Sequence, residues 1–306
     1  MATASFERPG FSVSSPSHSV SPSIVTEPPP EAPPRASWWS TAGIVKVVLF
    51  VLLQLAPLAM IWTGVDWRSV LLCAICYFVN MVGVTVGFHR YFSHRSYKTS
   101  RWFRFVLGCL GCTALQKGPL WWASAHRQHH READTSKDVH SPVTGSVWWS
   151  HMGWVFAGDW NDGKLQSVGD LSRFRELRWL EHIDWLPAVG LAAVCLLVGG
   201  WSGLVVGFFL GNLLSRHAAF LVNSVCHLWG RRRFPTADAS RNNLLVAILT
   251  LGEGWHNNHH HYQSSANQGF RWWEIDVGYY IIRLLGCFGL VWDIRTPPLA
   301  KLAAVD

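Results

Sequence analysis

Charge is scarce in this chain: Asp, Glu, Lys and Arg make up only 15% of 306 residues, against 49% hydrophobic residues. An ordinary soluble domain carries nearer 25% charged residues, so this balance points to a membrane protein with a polar part. No apolar run begins in the first 30 residues, so no signal peptide is expected. The seven cysteines form no disulfide-like framework and give no sign of an oxidising compartment. Cys73/Cys76 and Cys109/Cys112 have the CxxC spacing of zinc sites, but both lie in apolar runs, where packing as small apolar groups is expected. The basic balance of +7 is not read as nucleic-acid binding, because Lys and Arg alternate with apolar segments.

What the chain does have is histidine in boxes. They read His89-Arg-Tyr-Phe-Ser-His94, His126-Arg-Gln-His129-His130 and His256-Asn-Asn-His259-His260. On a helix the second and third boxes put imidazoles at i, i+3 and i+4, one face about a turn apart. Imidazole suits iron, zinc, copper or nickel. Eight imidazoles exceed what one ion takes and suit two. His89 and His94 are five apart, so His89 is expected at a helix end with His94 just beyond it. The boxes contain no carboxylate, unlike most two-metal hydrolytic centres. Asp134, Asp138 and Glu253 are near enough in sequence to orient imidazole N–H groups; ordinary surface ion pairs are the other reading.

Apolar stretches suggest four spans, at about 41–62, 69–88, 186–199 and 203–225, forming two hairpins. The expected fold is an all-α integral membrane protein, its helical cap holding a histidine-ligated dimetal centre. Residues 1–37, rich in Ser and Pro, are expected to be disordered, residues 38–300 to form one domain, and 301–306 to be a tail. The stretch 102–120 reads as an interfacial or partly buried helix. Residues 90–183 hold 13 Lys and Arg and residues 228–306 hold eight, against Arg68 alone in the short links, so both termini and every box are expected on the cytoplasmic side. The second hairpin ends in Asn223-Ser-Val-Cys-His227, which returns His227 to the face that carries His89. Arg231-Arg-Arg233 reads as a positive-inside anchor or a phosphate contact. His140 could meet substrate or support a ligand. His18, His151, His182 and His217 read as structural or solvated, and adjacent His261 leaves the ligand face of its box.

The set HRYFSH, HRQHH, NSVCH and HNNHH, with SHRSYKTSRW, QKGPLWW, DTSKDVHSP and GEGWHNNHHHYQSSANQGFRWWEIDVGYY around it, resembles the membrane fatty acyl-CoA desaturases. The likeness runs from about Thr41 to Pro298 and is greatest to the stearoyl-CoA (Δ9) type, bacterial branch. It implies a di-iron centre held by His89, His94, His126, His129, His130, His227, His256, His259 and His260, with Asn223 reaching a metal through water. It further implies removal of two hydrogens from a saturated acyl chain, with O₂ as co-substrate and electrons from outside. Gln116 and Trp122 match the family's tunnel-bend positions; Ala219 stands where the family has threonine, which removes a hydroxyl from that bend. No heme-binding HPGG segment occurs, so a separate donor is expected, a ferredoxin or a cytochrome b5-like protein with its reductase. The implied partners are thus a fatty acyl substrate, that donor and membrane lipid. An acyl-lipid desaturase, a related di-iron hydroxylase and a metal-binding or transport protein are the competing readings. Transport fits least, because the boxes lie at or outside span ends rather than along a mid-membrane path.

Overall fold

The computed structural model describes residues 41–156 and 167–302. The 1–37 tail, His18 and residues 303–306 of the C-terminal tail lie outside them; residues 301–302 belong to a short helix.

In chain order the helices are α1 (Thr41–Leu55), α2 (Met60–Thr63), α3 (Trp67–Val82), α4 (Arg101–Cys112), α5 (Pro119–Glu132) and α6 (Val147–His151). There follow α7 (Gly169–Ser172), α8 (Arg175–His182), α9 (Leu186–Ser202), α10 (Gly211–Val225), α11 (Leu244–Leu249), α12 (His256–His261), α13 (Val277–Cys287) and α14 (Leu299–Leu302). Two short strands, β1 (Lys98–Thr99) and β2 (Val291–Trp292), pair antiparallel and tie the far end of the chain to the segment after the first box.

Among the described residues, three helical stretches are long and apolar enough to cross a membrane: Ile44–Thr63, Trp67–Ser93 and Leu186–Val225. The last is 40 residues long but is broken at Gly200, whose φ of 60° and ψ of −154° leave the helical region. At about 1.5 Å per residue a straight 40-residue helix would span roughly 60 Å, twice a hydrocarbon core. Beside the break the backbone packs closely: a Cβ added at Gly203 would lie 2.3 Å from the Cys195 carbonyl oxygen.

The second stretch differs from the expected 69–88. Asp66 caps it through a reciprocal pair, the Ser69 N–H donating to Asp66 Oδ1 at 2.8 Å and the Asp66 N–H to Ser69 Oγ at 3.0 Å. The helix then runs past His89 as a π-helical segment, Gly83–Ser93, and His94 caps it. A π turn closes i→i+5, so two residues five apart return to the same side. His89 and His94 face one another, ring centroids 4.8 Å apart, with His89 in the last turn and His94 just past the helix end, as expected.

The stretch expected to be one interfacial helix is α4 followed by a turn into α5. Trp102 stays exposed, while Phe103 and Leu107 are buried in the main core with Phe88 and Phe92. Close approach needs glycine here: a Cβ at Gly111 would sit 2.2 Å from the Phe88 ring, and one at Gly83 would sit 2.2 Å from the Leu110 carbonyl.

The CxxC cysteines are free. Cys76 and Cys112 are buried, and Cys76 Sγ lies 3.3 Å from Cys195 Sγ on α9, as packing groups would.

Candidate metal centre

Two boxes sit on helices whose first turns are capped from elsewhere in the chain. Gly118 and Pro119 open α5, and Pro is suited to the first turn because it lacks an N–H. The freed N–H groups of Leu120 and Trp121 donate to Glu181 at 2.8 and 3.1 Å. On α12 the Asn257 and Asn258 N–H groups donate to Asn242 Oδ1 at 2.9 and 3.1 Å. Each cap satisfies donors that a buried helix start would otherwise strand.

Burial raises the Glu181 carboxyl to about 7, against the two N–H groups that favour its charge. A raised folded value means that this contribution to stability is full below the ordinary 4.5 and is lost as pH rises through about 7. Thermal unfolding followed against pH should therefore show stability falling across that window, and Glu181→Gln should flatten the slope.

The nine imidazoles converge in two groups. His89, His94, His126, His130 and His259 form one; His129, His227, His256 and His260 form the other, the ligand atoms in each lying within 4.8 Å of one another. In the first group, Nε2 atoms are 3.0 Å apart for His89 and His259, 2.8 Å for His94 and His126, and 2.9 Å for His130 and His259. In the second, His227 and His256 Nε2 are 3.0 Å apart.

Four imidazoles are held from behind by carboxylates. His89 Nδ1 lies 2.5 Å from Glu253 Oε2. His129 Nδ1 faces Asp138 at 3.1 Å, His227 Nδ1 faces Asp134 at 2.8 Å, and His260 Nδ1 faces Asp238 at 2.7 Å. Asp134, Asp138 and Glu253 are therefore not ordinary surface pairs. Asp238 is an addition that the sequence pattern did not reveal: it sits in a loop, at no helical spacing from any box. A carboxylate at Nδ1 fixes that nitrogen as the donor and turns the Nε2 lone pair inward. Lone pairs about 3 Å apart repel unless a cation lies between them. His260 Nε2 is buried with no hydrogen bond among the described residues, which suits a metal-ligating atom.

The electrostatics agree with a cation site. Burial, and then neighbouring imidazoles, push His94, His126, His130, His256 and His259 well below the usual histidine value, so they are neutral and ligand-ready. Burial takes His260 down to about 4, with Asp238 opposing. Burial alone would raise the Asp138, Asp134 and Asp238 carboxyls, but the imidazoles beside them win and hold each below the usual carboxylate range.

A cavity of about 50 Å³ borders both groups. Its lining includes His89, His126, His129 and His256 from the two groups, together with Met81, Val84, Thr85, Ala219, Trp122 and Asn223. Trp122 stacks on His126, centroids 4.9 Å apart at 20°. Asn223 lines the same cavity as His129 and His256 of the second group. Gln116 is not among the residues lining this cavity; its Nε2 is buried with no hydrogen bond among the described residues. His140 packs on His129 at 4.4 Å and on Trp154 at 5.2 Å, a support rather than a lining residue. His261 leaves the cluster and stacks flat on Phe234 at 4.0 Å. His151 and His217 join in a separate chain, His151 Nε2 lying 2.9 Å from His217 Nδ1 and His217 Nε2 lying 2.8 Å from Gln54. Arg233, third of the basic run, approaches Glu274 at 3.5 Å; Arg231 is exposed.

Residues 66–283 match the family model described as fatty acid desaturase. The chain belongs to the fatty acid desaturase family. It is 38% identical over 280 residues to an acyl-CoA C20 Δ5-desaturase of Anemone leveillei, covering 88% of each chain. It is 37% identical over 273 residues to Δ9 acyl-lipid desaturase 1 of Arabidopsis thaliana, covering 86% of this chain and 88% of that one. It is also 37% identical over 281 residues to the chloroplastic palmitoyl-monogalactosyldiacylglycerol Δ7 desaturase of Arabidopsis thaliana, covering 87% of this chain and 74% of that one. This desaturase is an oxidoreductase of lipid metabolism, and its long apolar helices make it a membrane protein. Outer partners of metal ligands are typically worth about 10–100-fold in metal affinity. In this desaturase Asp238→Ala should weaken metal binding by about that factor, read by metal titration of the purified protein.

Proposed function

We propose that this chain introduces a cis double bond into a saturated fatty acyl chain, at Δ9 of an acyl-CoA, using O₂ and electrons from a separate ferredoxin or cytochrome b5-like donor. The observation that carries the reading is the pair of imidazole groups facing one cavity, four of the rings backed by carboxylates. Two Fe²⁺ suit this donor set. Imidazole accepts iron, and the four buried or half-buried carboxylates balance the four positive charges that neutral ligands cannot. The nine histidines would hold the irons, with Asn223 beside them.

The bound irons would supply O₂ activation and the removal of hydrogen from an unactivated C–H bond. The chain's own residues do the rest. The four carboxylates keep Nδ1 protonated and Nε2 directed inward. Trp122 closes one side of the cavity as a rigid wall. Met81, Val84 and Ala219 offer an apolar surface on which methylenes can lie without water.

In this reading the chain crosses the membrane four times, with Gly200 as the turn of the second hairpin. The arrangement puts the boxes, and both termini, on the basic cytoplasmic side. The stearoyl-CoA type and the bacterial branch rest on the motif text around the boxes. An acyl-lipid substrate is the second reading, favoured by the 37% identity to two acyl-lipid enzymes. Expression in a host without its own desaturase decides. Monoenes at Δ9 in the acyl-CoA pool support the proposal, monoenes formed on intact lipid support the second reading, and hydroxy acids or no product overturn both.

A further inference from the structure

The third box holds two residues that the metal centre does not use as ligands. His256, His259 and His260 share one face of α12, so Asn257 and Asn258 between them point the other way. Both are fully buried. A buried primary amide is costly unless its donors and its acceptor find partners. Both amides find them, and each finds them in a different loop.

Asn257 holds the loop between α10 and α11. Its Oδ1 accepts from the Arg233 and Phe234 N–H groups, each at 2.7 Å. Its Nδ2 lies 3.2 Å from the Phe234 carbonyl oxygen and from Thr236 Oγ1, and 3.3 Å from Ser240 Oγ. That loop carries the supports of two rings in the four-histidine group. Asp238 meets His260 Nδ1 at 2.7 Å. The Ala239 N–H donates at 2.8 Å to Asp134 Oδ2, the oxygen that also faces His227 Nδ1.

Asn258 holds the loop between α12 and α13. Its Nδ2 donates to the Gln268 carbonyl at 2.8 Å and to Glu274 Oε2 at 2.9 Å, while its Oδ1 accepts from Asn242 Nδ2 at 2.8 Å. Gln268 Nε2 in turn donates at 2.9 Å to Glu253 Oε2, the oxygen beside His89 Nδ1. His89 belongs to the five-histidine group. Arg90 ties the same loop through the Ala266 carbonyl.

We propose that Asn257 and Asn258 are positioning residues, each for a different metal. Asn257 aims His260 and His227 of the four-histidine group through Asp238 and Asp134. Asn258 aims His89 of the five-histidine group through Gln268 and Glu253. One short helix thus supplies ligands from one face and sets their supports from the other. The inference rests on the two-metal reading above and adds to it which residues govern each site.

The test is Co²⁺ titration of the purified chain, followed by absorption, with His260→Ala and His89→Ala marking the spectral component that belongs to each group. Asn257→Ala should weaken the His260 component by about tenfold or more and leave the other near wild type. Asn258→Ala should weaken the His89 component selectively, and by less, because Arg90 still ties its loop. Asn257→Asp keeps the acceptor that meets two N–H groups, and the Thr236 and Ser240 hydroxyls can turn to donate to it, so binding should stay near wild type. Asn258→Asp sets a carboxylate against Glu274 and the Gln268 carbonyl and should behave like Asn258→Ala. Two wild-type components that both alanine variants weaken equally, or that neither weakens, overturn the proposal, as does selectivity with the two assignments exchanged. Should an alanine variant fail to fold, the aspartate pair decides: the same behaviour in both overturns it. A wild type that binds fewer than two Co²⁺ overturns the two-metal reading itself, and the inference with it.

Discussion

Replacing His129 with alanine is expected to leave no detectable unsaturated product and to lower bound iron in the purified protein. His129 is 2% exposed and lies near the middle of the site, its ring within 5.4 Å of His130, His227 and His260. Its loss removes an inward lone pair and also strands the Asp138 carboxylate, which is buried against it. The effect should exceed the roughly 10–100-fold typical of an outer partner. Alanine is the best helix former, so α5 should persist and the loss should be one of chemistry. The contrast is His261→Ala. That ring stacks on Phe234 outside both groups, so product and iron should stay near wild type. Iron analysis with fatty-acid mass spectrometry reads both variants; retained activity in His129→Ala would remove it from the ligand set.

The largest effect on stability is expected at Arg90. This arginine is fully buried between two acidic residues. Its Nη2 lies 3.1 Å from Glu253 and its Nη1 lies 2.9 Å from Asp276, while Nη1 also donates to the Ala266 carbonyl at 2.9 Å. Forming such a network costs much of its Coulomb gain in desolvation, so its net worth is small. Breaking it is different, because two carboxylates then remain buried without their cation. Arg90→Met should cost about 3–5 kcal/mol, read by thermal or denaturant unfolding in detergent. It should also disturb the metal site, because Glu253 faces His89 as well as Arg90. A variant as stable as wild type would show that the carboxylates find other partners.

The spacing of HRQHH and HNNHH was enough to place three rings on one face of a helix, because side-chain direction within a helix is a local, periodic property. The apolar runs of the same text located the membrane-length helices, since length and hydropathy are read residue by residue. Family membership followed from the boxes and the words around them. Other features depended on contacts distant in sequence. The first box was read as the end of a helix, and His94 does cap one, but nothing local distinguishes an α turn from the π turn of Gly83–Ser93 that brings His89 and His94 together. Asp238 was missed because it sits in a loop 22 residues before His260, beyond α11, with no periodicity to give it away. Glu181 and Asn242 cap the box helices from 60 and 15 residues away, and the buried Asn80–Ser215 hydrogen bond joins residues 135 apart. So the sequence determined which groups could bind metal and which helices could cross lipid. Only the tertiary structure decided how those groups are aimed, charged and closed off, because orientation and burial are set by neighbours that the chain reaches only once it is folded.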